Sequence, residues 1–240
     1  MTTKKTIVIG DIHGCFDELQ ELLRKAISLY SSDTTNLDFF ERIISIGDLV
    51  DRGPKPWEVV HFFTTTPNAI AILGNHEDKH IRIAEGELQA NFSQVICKEQ
   101  LKAHYGECIS YFSSLPLFLR SHNCWLVHAG IVPEIPLEEQ PRKSLLRGKM
   151  PWMKDAYDKS RGGWWKYYSG STPIIYGHYA HSKGPHIQNN TYGIDTGCCH
   201  GDYLTGIILP ERRLVQVKAA KDYWREIRKT YSYLGTKNRT

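Results

Sequence analysis

Three observations predict an α/β protein. Short, continuously apolar runs of β-type residues recur along the chain, as in strands buried on both faces. Stretches with a 3.6-residue apolar period lie between them. Five of the apolar runs stop at a glycine-bearing polar cluster, and open α/β sheets gather ligands at the carboxyl ends of their strands.

The strands come first. Residues 7–9 run into Gly10-Asp11-Ile12-His13-Gly14, residues 43–46 into the cluster from Gly47 and Asp48 to Asp51, Arg52 and Gly53, and residues 69–73 into Gly74-Asn75-His76-Glu77. Later, residues 124–127 meet His128-Ala129-Gly130 and residues 174–176 meet Gly177-His178. Five strand ends carrying Asp, His or Asn predict one shared site assembled from distant sequence.

Helices fill the gaps. Phe16, Leu19, Leu22, Leu23, Ala26, Ile27 and Tyr30 follow the helical period, and Asp17 with Gln20 has the spacing of a capping box. Pro54-Lys55-Pro56 introduces a helix over 57–63. Residues 94–112 read as a long amphipathic helix or a pair, interrupted near Gly106, and 204–209 with 214–217 as a β-hairpin. Residues 134–172 have weak periodicity and read as an irregular excursion over the site. With polar clusters from residue 10 to 178 and no repeat, residues 1–240 are expected to form a single domain: a motif core over 6–218 and a basic C-terminal tail over 219–240.

Composition narrows the function. The 240 residues are 41% hydrophobic and 23% charged, which excludes disorder, collagen and coiled coil. A formal charge of +4 suits an anionic substrate but is too slight to name nucleic acid as the partner. No apolar run approaches the roughly 18 residues of a membrane span, and the apolar stretch at 7–9 is too short for a signal peptide. The six cysteines contain no C-x-x-C pair, so reduced thiols and a cytoplasmic location are expected. Cys198-Cys199 reads as two packing residues.

Asp11 and His13 stand two apart at a strand end, so their side chains project to the same side. With Asp48, Asn75, His128 and His178 they offer carboxylate, imidazole and amide oxygen. That mixture suits manganese, iron or zinc better than magnesium alone. The candidate ligands exceed one tetrahedral site, and two ions sharing a carboxylate accommodate them. The remaining histidines, His61, His80, His104, His122, His181, His186 and His200, read as ordinary surface or core residues. The tail, with Lys221, Arg225, Arg228 and Lys229 beside Tyr223, Trp224 and Tyr231, reads as a solvated helix with a buried aromatic edge.

Taken together, the five clusters resemble the signature of calcineurin-like metallophosphoesterases, and in particular their phosphoprotein phosphatase branch. The resemblance runs from residue 6 to about 218. The stretch Tyr192-Gly193-Ile194-Asp195-Thr196-Gly197, followed by Leu204-Thr205-Gly206, is similar to the closing strands of bacterial members and of diadenosine-tetraphosphate hydrolases.

The resemblance implies a sandwich of two mixed β-sheets flanked by helices and a two-metal site, with manganese, iron or zinc as its ions. Asp11 and His13 would hold the first ion, Asp48 would bridge, and Asn75, His128 and His178 would complete the second. A metal-bridging hydroxide would attack phosphorus in line. His76, polarised by Asp51, would protonate the leaving oxygen, and Arg52 would clamp the phosphoryl group alongside Asn75. Ala180 stands where the wider superfamily often has a further histidine, which the phosphoprotein phosphatase branch also lacks. A second phosphate-binding cation is implied near Leu145-Leu146; Arg147, Lys149 and Arg161 are the alternatives.

Glu77 resembles the protein-phosphatase form of its motif, so a phosphomonoesterase acting on phosphorylated protein is the first expectation. The alternative is a dinucleoside polyphosphate (diadenosine tetraphosphate) hydrolase, with Trp152, Trp164 and Trp165 free either to stack on a base or to pack the excursion. A catalytically silent binding protein on the same fold is a remote third reading, which the intact Asp51, Arg52 and His76 argue against. Oligomeric state is not legible.

Overall fold

The computed structural model describes residues 4–149 and 163–234. The first half alternates strand and helix: β1 (Lys5–Ile9), α1 (Phe16–Ser28), β2 (Phe40–Ser45), α2 (Pro56–Thr65), β3 (Ala69–Ala71) and α3 (Asn75–Ala84). Two further helices follow, α4 (Phe92–Leu101) and α5 (Tyr105–Ser114), then β4 (Phe118–Ser121) and β5 (Cys124–Val127). The second half holds α6 (Arg142–Arg147), β6 (Ile174–Tyr176), β7 (His186–Gln188), β8 (Thr191–Gly193), β9 (Tyr203–Leu209), β10 (Arg213–Lys218) and α7 (Tyr223–Thr230).

The strands make two five-stranded mixed sheets, β10-β9-β1-β2-β3 and β4-β5-β6-β8-β7. This is the two-sheet sandwich with flanking helices that the family resemblance implies. Within them β1, β2 and β3 run parallel, as do β5, β6 and β8, so the polar loops after these strands leave each sheet at one end. Side chains alternate across a strand, which explains the unbroken apolar runs. Ile7 and Ile9 pack with Leu19 and Leu22 of α1, whereas Val8 faces Ile44, Leu126 and Ile175 between the sheets. Each face of β1 is thus covered. Among the described residues no helix is long and apolar enough to cross a membrane.

Several local expectations need correction. Asp17 and Gln20 form no capping box: Cys15 is the N-cap of α1 and makes no side-chain cap bond. Asp17 instead accepts both of its 2.8 Å bonds from Lys55 Nζ at the start of α2, a tertiary contact invisible to spacing. The break in the 94–112 stretch falls at Lys102, with φ 45°, rather than near Gly106. Glycine inside a helix costs about 1 kcal/mol, and α5 continues through Gly106 because Cys108 and Phe112 are buried. The 134–172 excursion contains α6 and a 3₁₀ turn over Trp164–Tyr167, and α3, β4 and β7 have no counterpart in the expected elements.

Candidate functional site

The chain turns back sharply at each strand end, and the turns place several site residues in the left-handed region. His13, Asp48, Asp51, Arg52 and His178 have φ between 48° and 69°. Each such non-glycine conformation costs on the order of 1–3 kcal/mol and survives only where the surroundings hold it. The surroundings here are backbone packed on backbone. Gly47 has φ 97°, and a Cβ there would lie 2.6 Å from Gly74 Cα, so the loops bearing Asp48 and Asn75 lock together only as glycines.

Asp48 sits at the middle of a buried pit. Its Oδ2 lies 3.6 Å from His13 Nε2 and 3.9 Å from His76 Nε2, and its Oδ1 lies 3.4 Å from His128 Nε2. Two groups of possible metal ligands share it, His13–Asp48–His76 and Asp48–His128–His178, each with donor atoms within 4.8 Å of one another. Asn75 Oδ1 joins the second group, 2.9 Å from His128 Nε2 and 2.6 Å from His178 Nδ1. Asp11 is at the rim of the pit, its carboxylate accepting the His178 N–H at 3.1 and 3.2 Å. All six expected ligands therefore converge, although the first group contains His76 where the resemblance implies Asp11.

The donor chemistry fits a pair of cations. His13 Nδ1 is 2.8 Å from Val50 O and His128 Nδ1 is 2.9 Å from Ile46 O. Those carbonyls take the ring protons and leave each Nε2 lone pair facing the pit, the usual orientation of a ligating imidazole. The His128 lone pair then faces Asn75 Oδ1 and Asp48 Oδ1, three acceptors turned toward one another, which a cation satisfies. The electrostatics agree. Burial, with Asp195 and Asp48 nearby, pushes the Asp11 carboxyl well up, and burial pushes His178 down to about 3. Burial opposes ionisation of Asp48 too, but His128, His76 and His13 outweigh it and hold that carboxyl below its usual range. A carboxylate shared among imidazole nitrogens and an amide oxygen is a donor set that suits metal.

His76 stands at the N-terminus of α3, and its N–H donates to Asp48 Oδ1 at 3.0 Å. Its Nδ1 bonds the Asp51 carboxylate, which also receives Gln94 Nε2 and lies 3.1 Å from His80 Nε2. Asp51 is held well below the ordinary carboxylate range by His76 and His80 against the effect of burial. Sequence reasoning had assigned His80 to the background. Its signal was spacing, because four residues after His76 on a helix is the same face. Asp195 was also missed as a site residue, although it follows β8 as the other acids follow their strands; burial raises it to about 6. Glu77 is buried beneath the pit. Its Oε2 accepts from Asp48 N at 2.9 Å and Gly74 N at 3.1 Å, and its Oε1 from Leu49 N at 2.9 Å and Val50 N at 3.2 Å. Burial and the Asp48 charge push this carboxyl up to about 8 while the N–H bonds pull it down.

Arg52 reaches the pit, with Nη1 3.0 Å from His13 Nε2. Arg147 lies one step out, 3.7 Å from Asp78 and lining a cleft of about 720 Å³ with Arg82, Arg142, Lys143 and Lys149. Between them the half-buried Lys79 feels the charges of Asp48, Asp51, Arg52 and Arg147. Arg161 and Trp152 fall outside the described residues. Trp164 and Trp165 are 0% and 4% exposed, and Trp164 Nε1 donates to Ala129 O at 2.9 Å. They pack the outer face of the second sheet, so base stacking is not open to them.

Residues 4–203 match the family model described as calcineurin-like phosphoesterase. A protein of Oceanobacillus iheyensis named bis(5′-nucleosyl)-tetraphosphatase PrpE [asymmetrical] is 31% identical over 237 residues, covering 91% of this chain and 94% of that one. The Bacillus subtilis protein of the same name is 30% identical, covering 90% and 95%. Among solved structures, one described as a "putative diadenosine tetraphosphatase" superposes with TM-score 0.72 at 24% identity, covering 91% and 95% of the two chains. A Saccharomyces cerevisiae serine/threonine phosphatase superposes with TM-score 0.55 at 18% identity, covering 90% and 79%. The chain belongs to the calcineurin-like phosphoesterase family and is a metal-dependent phosphoester hydrolase.

Proposed function

We propose that this chain hydrolyses bis(5′-nucleosyl) tetraphosphates asymmetrically at the pit around Asp48. The observation that carries the reading is the name shared by relatives 30–31% identical along some nine-tenths of both chains. The placement of Glu77 also weighs against phosphoprotein. That preference rested on Glu77, and Glu77 is a buried brace that accepts four backbone N–H groups of the pit's own loops.

Asp11, His13, Asp48, Asn75, His128 and His178 would hold two divalent ions, manganese by the donor mixture, with iron or zinc as the alternatives. Bound there, the ions would supply Lewis acidity and bring the pKa of a water toward neutrality. The chain's own part follows from the geometry. Asp51 fixes the His76 ring through Nδ1 and turns Nε2 into the pit, from where a protonated His76 would give its proton to the leaving phosphate oxygen. Arg52 pairs the non-bridging oxygens, and a guanidinium does this in two parallel bonds. Arg147 supplies more positive charge along the way out. Six cysteines without a disulfide suit a reducing compartment, the cytoplasm.

The test is product analysis. Manganese-reconstituted protein incubated with diadenosine tetraphosphate should release AMP and ATP, and should act more slowly on a phosphoserine peptide. Two ADP, or faster turnover of the peptide, contradicts the proposal.

A further inference from the structure

One cleft lies beside the pit rather than over it. It holds about 860 Å³ between α7, the start of α4 and the turn at Cys198–His200. That volume is in the range of small-molecule sites. Phe92 and Trp224 supply aromatic surface, and Arg225, Arg228 and Lys229 supply charge. The lining is therefore both aromatic and cationic, the combination that recognises a nucleobase carrying phosphates.

Three features give the cleft its direction. First, its cations are not spent. Lys221 pairs with Glu226, leaving Arg225 and Lys229 with no ion-pair partner among the described residues, while Arg228 lies 5.7 Å from the Trp224 ring centroid. The lining carboxylate, Asp222, uses Oδ1 to cap α7 through the Arg225 N–H at 2.9 Å. Second, the cleft adjoins the pit through two routes. The Arg52 guanidinium that reaches His13 also contacts the Cys199 thiol, one residue before His200 in the lining. Phe92 precedes by two residues the Gln94 that bonds Asp51. Third, α7 lies beyond residue 203, where the family match ends.

We infer that this cleft is a nucleotide subsite, binding the nucleoside and adjoining phosphates of the substrate half that is not attacked. The assignment rests on the proposed dinucleoside tetraphosphate activity and names the part of the chain that recognises the second nucleotide. Trp224 presents its indole to the base, while Arg225 and Lys229 pair the phosphates and Arg52 marks the passage to the pit.

Calorimetric titration of the full chain with ADP and with pyrophosphate tests the site without turnover. Trp224→Ala should weaken ADP about tenfold, as loss of one base–aromatic stack does, and leave pyrophosphate unchanged. The Arg225→Gln/Lys229→Gln double variant should weaken both ligands by about tenfold, the scale of lost charge-assisted bonds. In kinetics, both variants should raise KM for diadenosine tetraphosphate and leave p-nitrophenyl phosphate turnover unchanged, which also shows that they fold. Wild-type ADP affinity in both variants overturns the inference, as does an equal rise in KM for a phosphoserine peptide. If the wild type does not cleave diadenosine tetraphosphate but its ADP binding depends on Trp224 and Arg225, the substrate proposal fails and the nucleotide site stands. If cleavage is found and both variants match the wild type, the site fails and the substrate proposal stands.

Discussion

Glu77→Gln is the most informative single change, because it is nearly isosteric and its cost can be worked from four distances. The Glu77 oxygens accept from Asp48 N and Gly74 N on one side and from Leu49 N and Val50 N on the other, all between 2.9 and 3.2 Å. An amide keeps one acceptor and replaces the other with an NH₂ group, so two buried N–H donors face another donor. An orphaned buried donor costs about 1–3 kcal/mol, which puts the variant about 2–6 kcal/mol below wild type. That is a large part of an ordinary domain's 5–15 kcal/mol or so. Urea unfolding of the metal-free proteins at unchanged m-value measures it. Because one of the freed donors is Asp48's own N–H, p-nitrophenyl phosphate turnover should fall on the order of a hundredfold, the scale of a 1 Å displacement at a reacting centre. A loss below about 1 kcal/mol with full activity would refute the bracing role.

Further outcomes follow from the same geometry. Asp51→Asn should lower kcat about 10²–10⁴-fold on diadenosine tetraphosphate, and less on p-nitrophenyl phosphate, whose leaving group needs little protonation; equal losses would remove His76 as the acid. Gly47→Ala drives a Cβ to 2.6 Å from Gly74 Cα at φ 97°, so the variant should be recovered mainly insoluble or without metal, and a soluble, active protein counts against the locked loops. His181, stacked on His186 with Trp165 at its edge, is pushed down to about 4 by burial and by His186. Its unfolded pKa is about 6.5, so between pH 6.5 and 4 the unfolded chain holds a proton that the fold does not. Stability should therefore fall as pH drops through that window, by less than about 1.4 kcal/mol per unit because the ring is partly exposed. His181→Asn should flatten the slope seen in urea titrations at stepped pH. Trp164→Ala should cost about 3–5 kcal/mol of unfolding free energy, as loss of a fully buried indole does.

What the sequence shows and hides has a physical basis. The strand ends were legible because burial on two faces makes a strand uniformly apolar, and the polar cluster that follows breaks that run within one or two residues. Asp11, Asp48, Asn75, His128 and His178 all carry this local signature, and the structure brings them to one pit. Asp195 follows β8, but Thr191-Tyr192-Gly193 is not an unbroken apolar run, so that strand end did not stand out. Glu77 and Gln94 act through contacts 25 or more residues away in sequence, and no local pattern reports such a contact, whereas His80 had only its helical spacing from His76 to mark it. The substrate lean drawn from Glu77 rested on its motif resemblance alone, and the side chain faces backbone N–H groups rather than the open pit. Trp164 and Trp165 show the same limit, since their side chains enter a core formed by strands on both sides of them in sequence.

Equilibrium manganese binding to the wild type and to Asp48→Asn tests the central claim most directly. The account predicts two ions per chain for the wild type, and weakening of both in the variant, because one carboxylate turns an oxygen to each group of ligands. Two ions held by Asp48→Asn at wild-type affinity, or a single ion in the wild type, would contradict it.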